Sequence, residues 1–342
     1  MQHFRLSFAL TLVLMAVAAA WGYSNNGVAG AMHAVWIAGV LGVLEVSLSF
    51  DNAVVNATVL KRWNPFWQKL FLTVGIIVAV FGMRLLFPLL IVAVATGLGL
   101  LDVWQMAINT PQVYSMHLTG AHAQVAAFGG AFLLLVFLNF LFDRDKQLHW
   151  LGWGERQLGR HGSEGLAVMI ALLAVFGCMG MVEPAKQFSV LSAGVIGVTV
   201  YVGVSWLSGL LEEEDTPGAG NLAMQAVGGS IGGFMYLEVL DASFSFDGVI
   251  GAFAISSDVV IIMLGLAIGA MFVRSLTVYL VNKGTLDQFI FLEHGAHYAI
   301  GLLALIMFSS VRYHIPEWFT GLSGVVLIGL SLWSSMRHQQ GS

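Results

Sequence analysis

Long apolar runs recur along the whole chain of 342 residues and are separated by short polar breaks. Each run is close to the ~20 residues that an α-helix needs to cross the hydrocarbon core of a bilayer. No polar stretch is long enough to fold as a separate soluble domain. The pattern therefore predicts an all-α, polytopic transmembrane bundle of about ten spans. These predicted spans are 5–22, 33–60, 70–95, 120–142, 165–182, 188–210, 223–255, 259–281, 288–309 and 318–336.

The composition agrees with this pattern. The chain is 58% hydrophobic and only 10% charged, whereas a soluble domain is about 25% charged. The net charge of -5 and the lack of a basic cluster with interleaved aromatics argue against a nucleic-acid partner. The single cysteine, Cys178, cannot form an intrachain disulfide. The first span resembles a secretory signal, but we expect it to be retained as a helix.

The distribution of Lys and Arg predicts the orientation, because cytoplasmic loops hold the excess of these residues. With the N-terminus in the cytoplasm, ten of the 14 Lys and Arg residues lie inside, and only Lys186 and Arg312 lie in outside loops. Ten spans then place both termini in the cytoplasm. The segment from Glu212 to Asp215 becomes an acidic cytoplasmic loop. We expect an integral protein of the bacterial inner (plasma) membrane.

Two acidic segments match each other: LEVSLSFDNAVVNA from Leu44 and LEVLDASFSFDGVIGAF from Leu237. The next predicted span after each contains one arginine, and the span after that begins with Gly-Ala-His. Three landmarks in the same order indicate a repeated three-helix unit. The alignment places Glu45 opposite Asp241, Ser49 opposite Ser245, Asp51 opposite Asp247, Arg84 opposite Arg274 and His122 opposite His297.

The repeats should be inverted, because five spans separate their starts and an odd number reverses the direction of the chain. Inverted repeats in transporters place the substrate site near the bilayer midplane, where the halves meet. The predicted organisation is an N-terminal helix and linker (1–32), a first repeat (33–142), connecting loops with two helices (143–222), a second repeat (223–309) and a C-terminal helix with a tail (310–342).

Acidic residues inside predicted spans are the candidate chemistry. At least five lie within the spans: Glu45, Asp51, Glu238, Asp241 and Asp247. Such residues are expensive in a membrane and need partners, and two arginines cannot neutralise five carboxylates. A divalent cation would neutralise two at once, and oxygen ligands suit Mn²⁺, Ca²⁺ or Mg²⁺.

The spacing within each motif limits how the acids can act. Residues six apart on a straight helix, such as Glu45 and Asp51, lie about 120° apart around the axis and ~9 Å apart along it. Either the backbone unwinds near SFDN and SFDG, or the acids serve separate positions along one path.

The other matched polar residues allow several roles. His122 and His297 could be metal ligands, proton acceptors in a coupled exchange, or packed histidines. Arg84 and Arg274 would hold carboxylates in place or repel cations, with Ser49 and Ser245 as further support of the site.

At these motifs the chain resembles the TerC family of integral membrane proteins, in particular its DUF475-type branch. The matching residues are Glu45, Ser49, Asp51 and Asn52 in the first half, and Glu238, Asp241, Phe244 and Asp247 in the second. One departure is Gly248-Val249-Ile250, where relatives commonly have Ser-Ile-Pro. The resemblance implies divalent cation transport, especially manganese efflux, and a link to tellurite resistance.

These observations predict a divalent cation transporter with Mn²⁺ as the expected substrate and no required cofactor. The expected ligands are Glu45, Asp51, Asn52, Glu238, Asp241 and Asp247, and the expected partners are the ion, the bilayer and protons as counter-ion. One alternative is an intramembrane aspartyl protease, although the chain has no Gly-x-Gly-Asp motif. The other is a membrane anchor in a metal or tellurite stress-response complex.

Overall fold

The computed structural model describes residues 4–75, 77–144, 146–211, 229–282 and 289–341. Within these ranges the chain is helical and contains no β-strand. The predicted acidic loop from Glu212 to Asp215, and the predicted start of the second repeat at 223, lie outside the described residues. Of Asp247 only the backbone is described, within a helix.

Fourteen α-helices are described in these ranges. They are α1 (Arg5–Leu48), α2 (Phe50–Leu60), α3 (Pro65–Leu70), α4 (Phe87–Thr96), α5 (Leu100–Asn109), α6 (Pro111–Gly120), α7 (His122–Leu141), α8 (Trp153–His161), α9 (Glu164–Met179), α10 (Pro184–Leu211), α11 (Ile231–Ile255), α12 (Val259–Asn282), α13 (Leu292–Ser310) and α14 (Glu317–Gly341). Two π-helical segments, Phe71–Gly75 and Val78–Leu86, lie between α3 and α4.

The long apolar helices are those of a membrane protein. Within the described residues, five helices are long and apolar enough to cross a bilayer: α1, α7, α10, α12 and α14. Two pairs bent by 107° and 101°, Phe81–Thr96 with Leu100–Asn109 and Trp153–His161 with Glu164–Met179, raise the number to seven if each pair is one span. The predicted ten is higher. It includes α11, which carries three acidic residues, and α13, which carries one acid and two histidines.

Helix α1 folds back on itself and forms two arms. Asn26 (φ -139°, ψ 26°) and Gly27 (φ 61°, ψ -149°) are not helical, and a left-handed φ favours glycine. After this turn the arms run side by side, so that a Cβ on Gly22 would lie 2.7 Å from the Cβ of Ala34. The first arm matches the predicted first span, and the second arm leads into the first acidic motif.

Three helix pairs position the polar residues. The second arm of α1 packs along α12, where Gly42 meets Ile268. The π-helical segments pack along α11, with the rings of Phe71 and Phe234 5.9 Å apart. Helix α7 runs antiparallel to α13, since Gly129 meets Met307 at one end and Phe140 stacks on His297 at the other.

Candidate functional site

The first acidic motif contains a break of one residue. Ser49, between α1 and α2, has φ -104° and ψ 17°, and its hydroxyl donates to Glu45 Oε1 at 2.9 Å. Glu45 therefore lies in the last turn of α1, and Asp51 lies in the first turn of α2. This is the local unwinding expected at SFDN.

The second motif does not unwind, because α11 is continuous from Ile231 to Ile255. Of the two alternatives left open by the spacing, unwinding is therefore seen near SFDN but not near SFDG. Gly248 instead provides space: a Cβ there would lie 2.9 Å from Glu45 Oε2. This glycine lets the first motif approach the second closely, which is a common use of glycine in membrane helices.

A buried ion pair joins Glu45 to Arg84. The guanidinium Nη2 donates to Glu45 Oε1, and the two residues are only 5% and 1% exposed. Arg84 lies in the π-helical segment Val78–Leu86, and such segments occur often at functional sites. The charges of Arg84 and Glu45 also interact with that of Asp241.

Asp241 and Glu238 bring the second motif to the same region. Asn52 Nδ2 donates to Asp241 Oδ1, which joins α2 to α11. Glu238 lies one turn before Asp241 and faces Gly75, where a Cβ would lie 2.8 Å from its Oε1. Both acids are only 7% exposed. Their charges are close enough to interact with each other.

A small cavity opens beside these groups. Its polar lining residues are Asn56, Arg84, Glu238, Asp241, Arg274 and Thr277. Arg274 is half-buried, and its Nε donates to the carbonyl of Leu72 at 2.7 Å. The cavity is therefore lined by carboxylates, amide and hydroxyl groups, and two guanidinium groups.

Several buried oxygens around this cavity accept no hydrogen bond from the described residues. They are Glu45 Oε2, Asn52 Oδ1, Asn56 Oδ1, Glu238 Oε1 and Oε2, and Asp241 Oδ2. Most buried polar atoms in proteins have a partner, so each exception needs an explanation. The hydroxyl of Ser245, one turn beyond Asp241, is a further such atom.

Asp51 points elsewhere. Its Oδ1 accepts the backbone N–H of Asn52 at 3.0 Å, and its Oδ2 lies near Gly324 of α14, where a Cβ would come within 2.8 Å. It does not line the cavity. Among the described side chains, no three His, Cys, Asp or Glu residues are placed to hold a metal ion together.

Residues 50–341 match the model of a family of proteins of unknown function, DUF475. The chain belongs to the DUF475 family. The match includes Asp51, Asn52 and the whole second motif, while Glu45 and Ser49 precede it. No curated protein and no solved structure gives a significant match. The branch named by the sequence resemblance is thus confirmed, and the wider TerC family remains a prediction.

The two matched histidines of this DUF475 protein lie apart from the acidic cavity. His297 is buried between α7 and α13, stacks on Phe140 with ring centroids 3.9 Å apart, and contacts the Glu293 carbonyl through Nδ1 at 2.8 Å. His122 lines a second, larger cavity at the other end of α11. Of the three roles considered, the geometry of His297 fits a packed histidine.

Sequence reasoning missed Asn56 and Thr277, which line the acidic cavity in this DUF475 protein. A signal was available, because Asn56 follows Asn52 by four residues and Thr277 follows Arg274 by three. Residues at these spacings share one face of a helix.

A second buried cluster was also missed. Lys146 Nζ lies 2.5 Å from Glu155 Oε1, and His294 Nε2 lies 3.4 Å from the same oxygen. Burial opposes the charge of Glu155, but the Lys146 ammonium and the Leu151 N–H more than offset it and lower the pKa of this carboxyl. The cluster holds α8 against the start of α13 in this family member. Near this cluster, Glu293 of α13 pairs with Arg62 at 2.7 Å.

Proposed function

We propose that this DUF475 protein transports a divalent cation across the membrane, with Mn²⁺ as the expected ion and efflux as the direction. The observation that carries the proposal is the set of unpartnered buried oxygens on Glu45, Asn52, Glu238 and Asp241. Carboxylate and amide oxygens are the ligands that hard divalent cations prefer. Both matched motifs supply them.

The local charge supports the same proposal. Glu45, Glu238 and Asp241 are buried around one cavity, and Arg84 pairs directly with only one of them. Arg274 lines the cavity but donates its Nε to a backbone carbonyl. Uncompensated carboxylates are costly inside a membrane, and a divalent cation would offset two of them.

The packing supports two inverted repeats. The first helix of the first repeat packs on the second helix of the second (α1 on α12), and the reverse pairing also occurs (the π-helical segments on α11). The third helices, α7 and α13, pack on each other and run antiparallel. A two-fold axis in the membrane plane relates helices in this reciprocal way.

The two cavities support alternating access with both termini inside. In the orientation predicted by the positive charges, the acidic cavity is lined by the cytoplasmic halves of its helices. The larger cavity, with His122, Arg312 and His314, is lined by the outer ends of α7, α11, α13 and α14. Between them, Phe246 is buried against Phe87 and His122. The acids thus lie between two access routes.

Binding a cation would require the side chains to rearrange. Arg84 and Asn52 already hold one oxygen of Glu45 and of Asp241, and Asp51 faces α14. A shift of the first motif about Ser49 would bring Glu45, Asp51 and Asp241 closer together. Proton exchange through the acids or His122 would supply the energy, and the likeness to TerC proteins favours manganese.

The test is metal flux into proteoliposomes with Mn²⁺, Ca²⁺ and Mg²⁺ in turn. We expect Glu238→Gln, Asp241→Asn, Asp51→Asn and Asp247→Asn each to lower Mn²⁺ flux by about tenfold or more, since losing ~1.4 kcal/mol of ligand binding changes an equilibrium tenfold.

Glu183→Gln is the matched control, because Glu183 is exposed in the turn before α10. It removes one carboxylate far from the cavity and should leave flux unchanged. Flux that survives in all four cavity and motif variants would refute the proposed site. A wild-type protein that moves none of the three ions would refute transport of these ions.

A further inference from the structure

Arg84 lies between two acids that the repeat alignment places opposite each other. It donates to Glu45 of the first repeat, and its charge interacts with that of Asp241 of the second. One guanidinium therefore balances the equivalent acids of both halves. This is where a substrate cation would sit under the proposed function.

The matched arginine of the second repeat has a different environment. Arg274 donates its Nε to the Leu72 carbonyl and lines both the acidic cavity and an apolar groove beside the first arm of α1. No described carboxylate forms an ion pair with it. The two arginines are equivalent in sequence, but among the described side chains Arg84 forms an ion pair with an acid of the motifs and Arg274 does not.

Three buried oxygens beside Arg84 have unused capacity to accept a hydrogen bond or to bind a cation. Glu45 Oε2, Asn52 Oδ1 and Asp241 Oδ2 are buried and accept no hydrogen bond from the described residues, although the other polar atom of each side chain is engaged. A divalent cation could use all three only by sharing carboxylates with the guanidinium. Two positive groups on one carboxylate repel each other, and little water is present here to screen them.

We propose that Arg84 is a tethered competitor of the transported cation, whose guanidinium neutralises Glu45 and Asp241 when the cation leaves and is displaced when it binds. This inference rests on the proposed function. It assigns Arg84 a positioning role in the transport cycle. A carrier with this device can return without leaving bare carboxylates in the hydrocarbon.

The test is Mn²⁺ titration of the purified full chain in detergent, with Arg84→Gln, Arg84→Lys and Arg156→Gln compared with wild type. Removing the competitor should tighten Mn²⁺ binding, and we expect Arg84→Gln to lower the Kd by about tenfold. Arg84→Lys should lower it less, because a lysine keeps the charge but loses the planar fork that pairs with carboxylates. Arg156→Gln is the matched control: it removes an exposed guanidinium of α8 that does not line the cavity, and it should bind as wild type does.

Net efflux and Mn²⁺ exchange provide a second readout. They distinguish a guanidinium that competes with the cation from one that only holds the acids in place. If Arg84 neutralises the empty carrier, Arg84→Gln should bind more tightly yet show slower net efflux, while exchange of Mn²⁺ for Mn²⁺ stays near the wild-type rate. Exchange does not require the empty carrier to return. Where Arg84→Gln fails to fold, the Kd of Arg84→Lys decides.

Weaker or unchanged Mn²⁺ binding in the Arg84 variants would overturn the inference, because it would mean that the guanidinium only holds the acids in place. In that case a wild-type protein that still binds Mn²⁺, and a Glu238→Gln variant that does not, would leave the proposed function intact. Failure of wild type and of every Arg84 variant to bind any divalent ion would overturn both.

Discussion

Buried carboxylates in this chain have two kinds of surroundings. Glu155 is paired with Lys146, contacts His294 and accepts a backbone N–H. Glu238 has two buried oxygens without a partner among the described residues. The first environment is that of a structural ion pair, whereas the second has unused capacity to bind a positive charge. Residue type alone does not separate them, but the neighbouring groups do.

The Lys146–Glu155 pair predicts a loss of stability when one partner is removed. Lys146→Ala would leave the Glu155 carboxylate buried without its cation, which costs about 3 kcal/mol in comparable pairs. We expect a lower midpoint of thermal unfolding in detergent at pH 7, with Mn²⁺ flux per folded molecule unchanged. Lys186→Ala, exposed in the first turn of α10, is the control. Equal midpoints for the two variants would contradict this interpretation.

The same pair predicts how stability depends on pH. The pKa of Glu155 is lowered in the folded state, so its contribution is present above the unfolded pKa and lost as pH falls through the folded value. We expect the thermal midpoint of wild type to decrease between about pH 5 and pH 3. Glu155→Gln should show a smaller decrease over this range. Parallel curves for the two proteins would show that another group is responsible.

At the scale of elements, close approaches depend on glycine. A Cβ on Gly269 of α12 would lie 2.6 Å from Glu45 Cγ and 2.8 Å from the Gly42 carbonyl. No comparable neighbour surrounds Gly203 of α10, where a Cβ would meet nothing within 4 Å. The same residue type therefore has different consequences in two helices.

This contrast gives a prediction with its own control. Gly269→Ala should destabilise the protein by about 1–3 kcal/mol through overpacking and reduce Mn²⁺ flux, because it pushes Glu45 away from Arg84. Gly203→Ala should be neutral or stabilising by up to ~1 kcal/mol, since alanine favours a helix over glycine. Thermal unfolding and flux of the two variants measured side by side provide the check. A neutral Gly269→Ala would mean that α1 and α12 separate easily.

The sequence predicted some elements well and others poorly. The apolar pattern predicted an all-helical chain, which the structure has, whereas the repeat alignment that places Glu45 opposite Asp241 stays a prediction. It did not predict that α11 continues through Gly248, because a glycine that breaks a helix and one that admits a neighbour look alike in sequence. The direction of Asp51 toward Gly324 was equally hidden, since it depends on where the C-terminal helix packs.

At the scale of the whole molecule, the count of spans is the main difference between pattern and structure. Length and hydropathy alone identify five to seven candidates, whereas ten follow from counting polar-interrupted segments such as α11. The polar side chains of α11 and α13 lower the hydropathy of these two helices, and neither is among the candidates. Experiments that show which side of the membrane a residue faces therefore test the topology better than hydropathy does.

Labelling from one side of the membrane tests the orientation. In a Cys178→Ser background, Thr119→Cys lies at the larger cavity and Leu158→Cys lies on the exposed face of α8. With both termini in the cytoplasm, a membrane-impermeant maleimide added to intact cells should label Thr119→Cys. It should reach Leu158→Cys only after permeabilisation. The opposite labelling pattern would show that the topology is inverted. Labelling of both cysteines in intact cells would contradict the prediction that they lie on opposite sides of the membrane.

The π-helical winding of Val78–Leu86 has a mechanical consequence for this molecule. A π-helix spans one residue more per hydrogen-bonded turn than an α-helix, and long runs of it are rare. Rewinding by one residue turns every later side chain about 100° around the axis. Arg84 would then rotate away from Glu45 and Asp241, while the segment that carries it stays helical. Under the proposed role of Arg84, a change of winding in its own π-helical segment would therefore be enough to move the guanidinium.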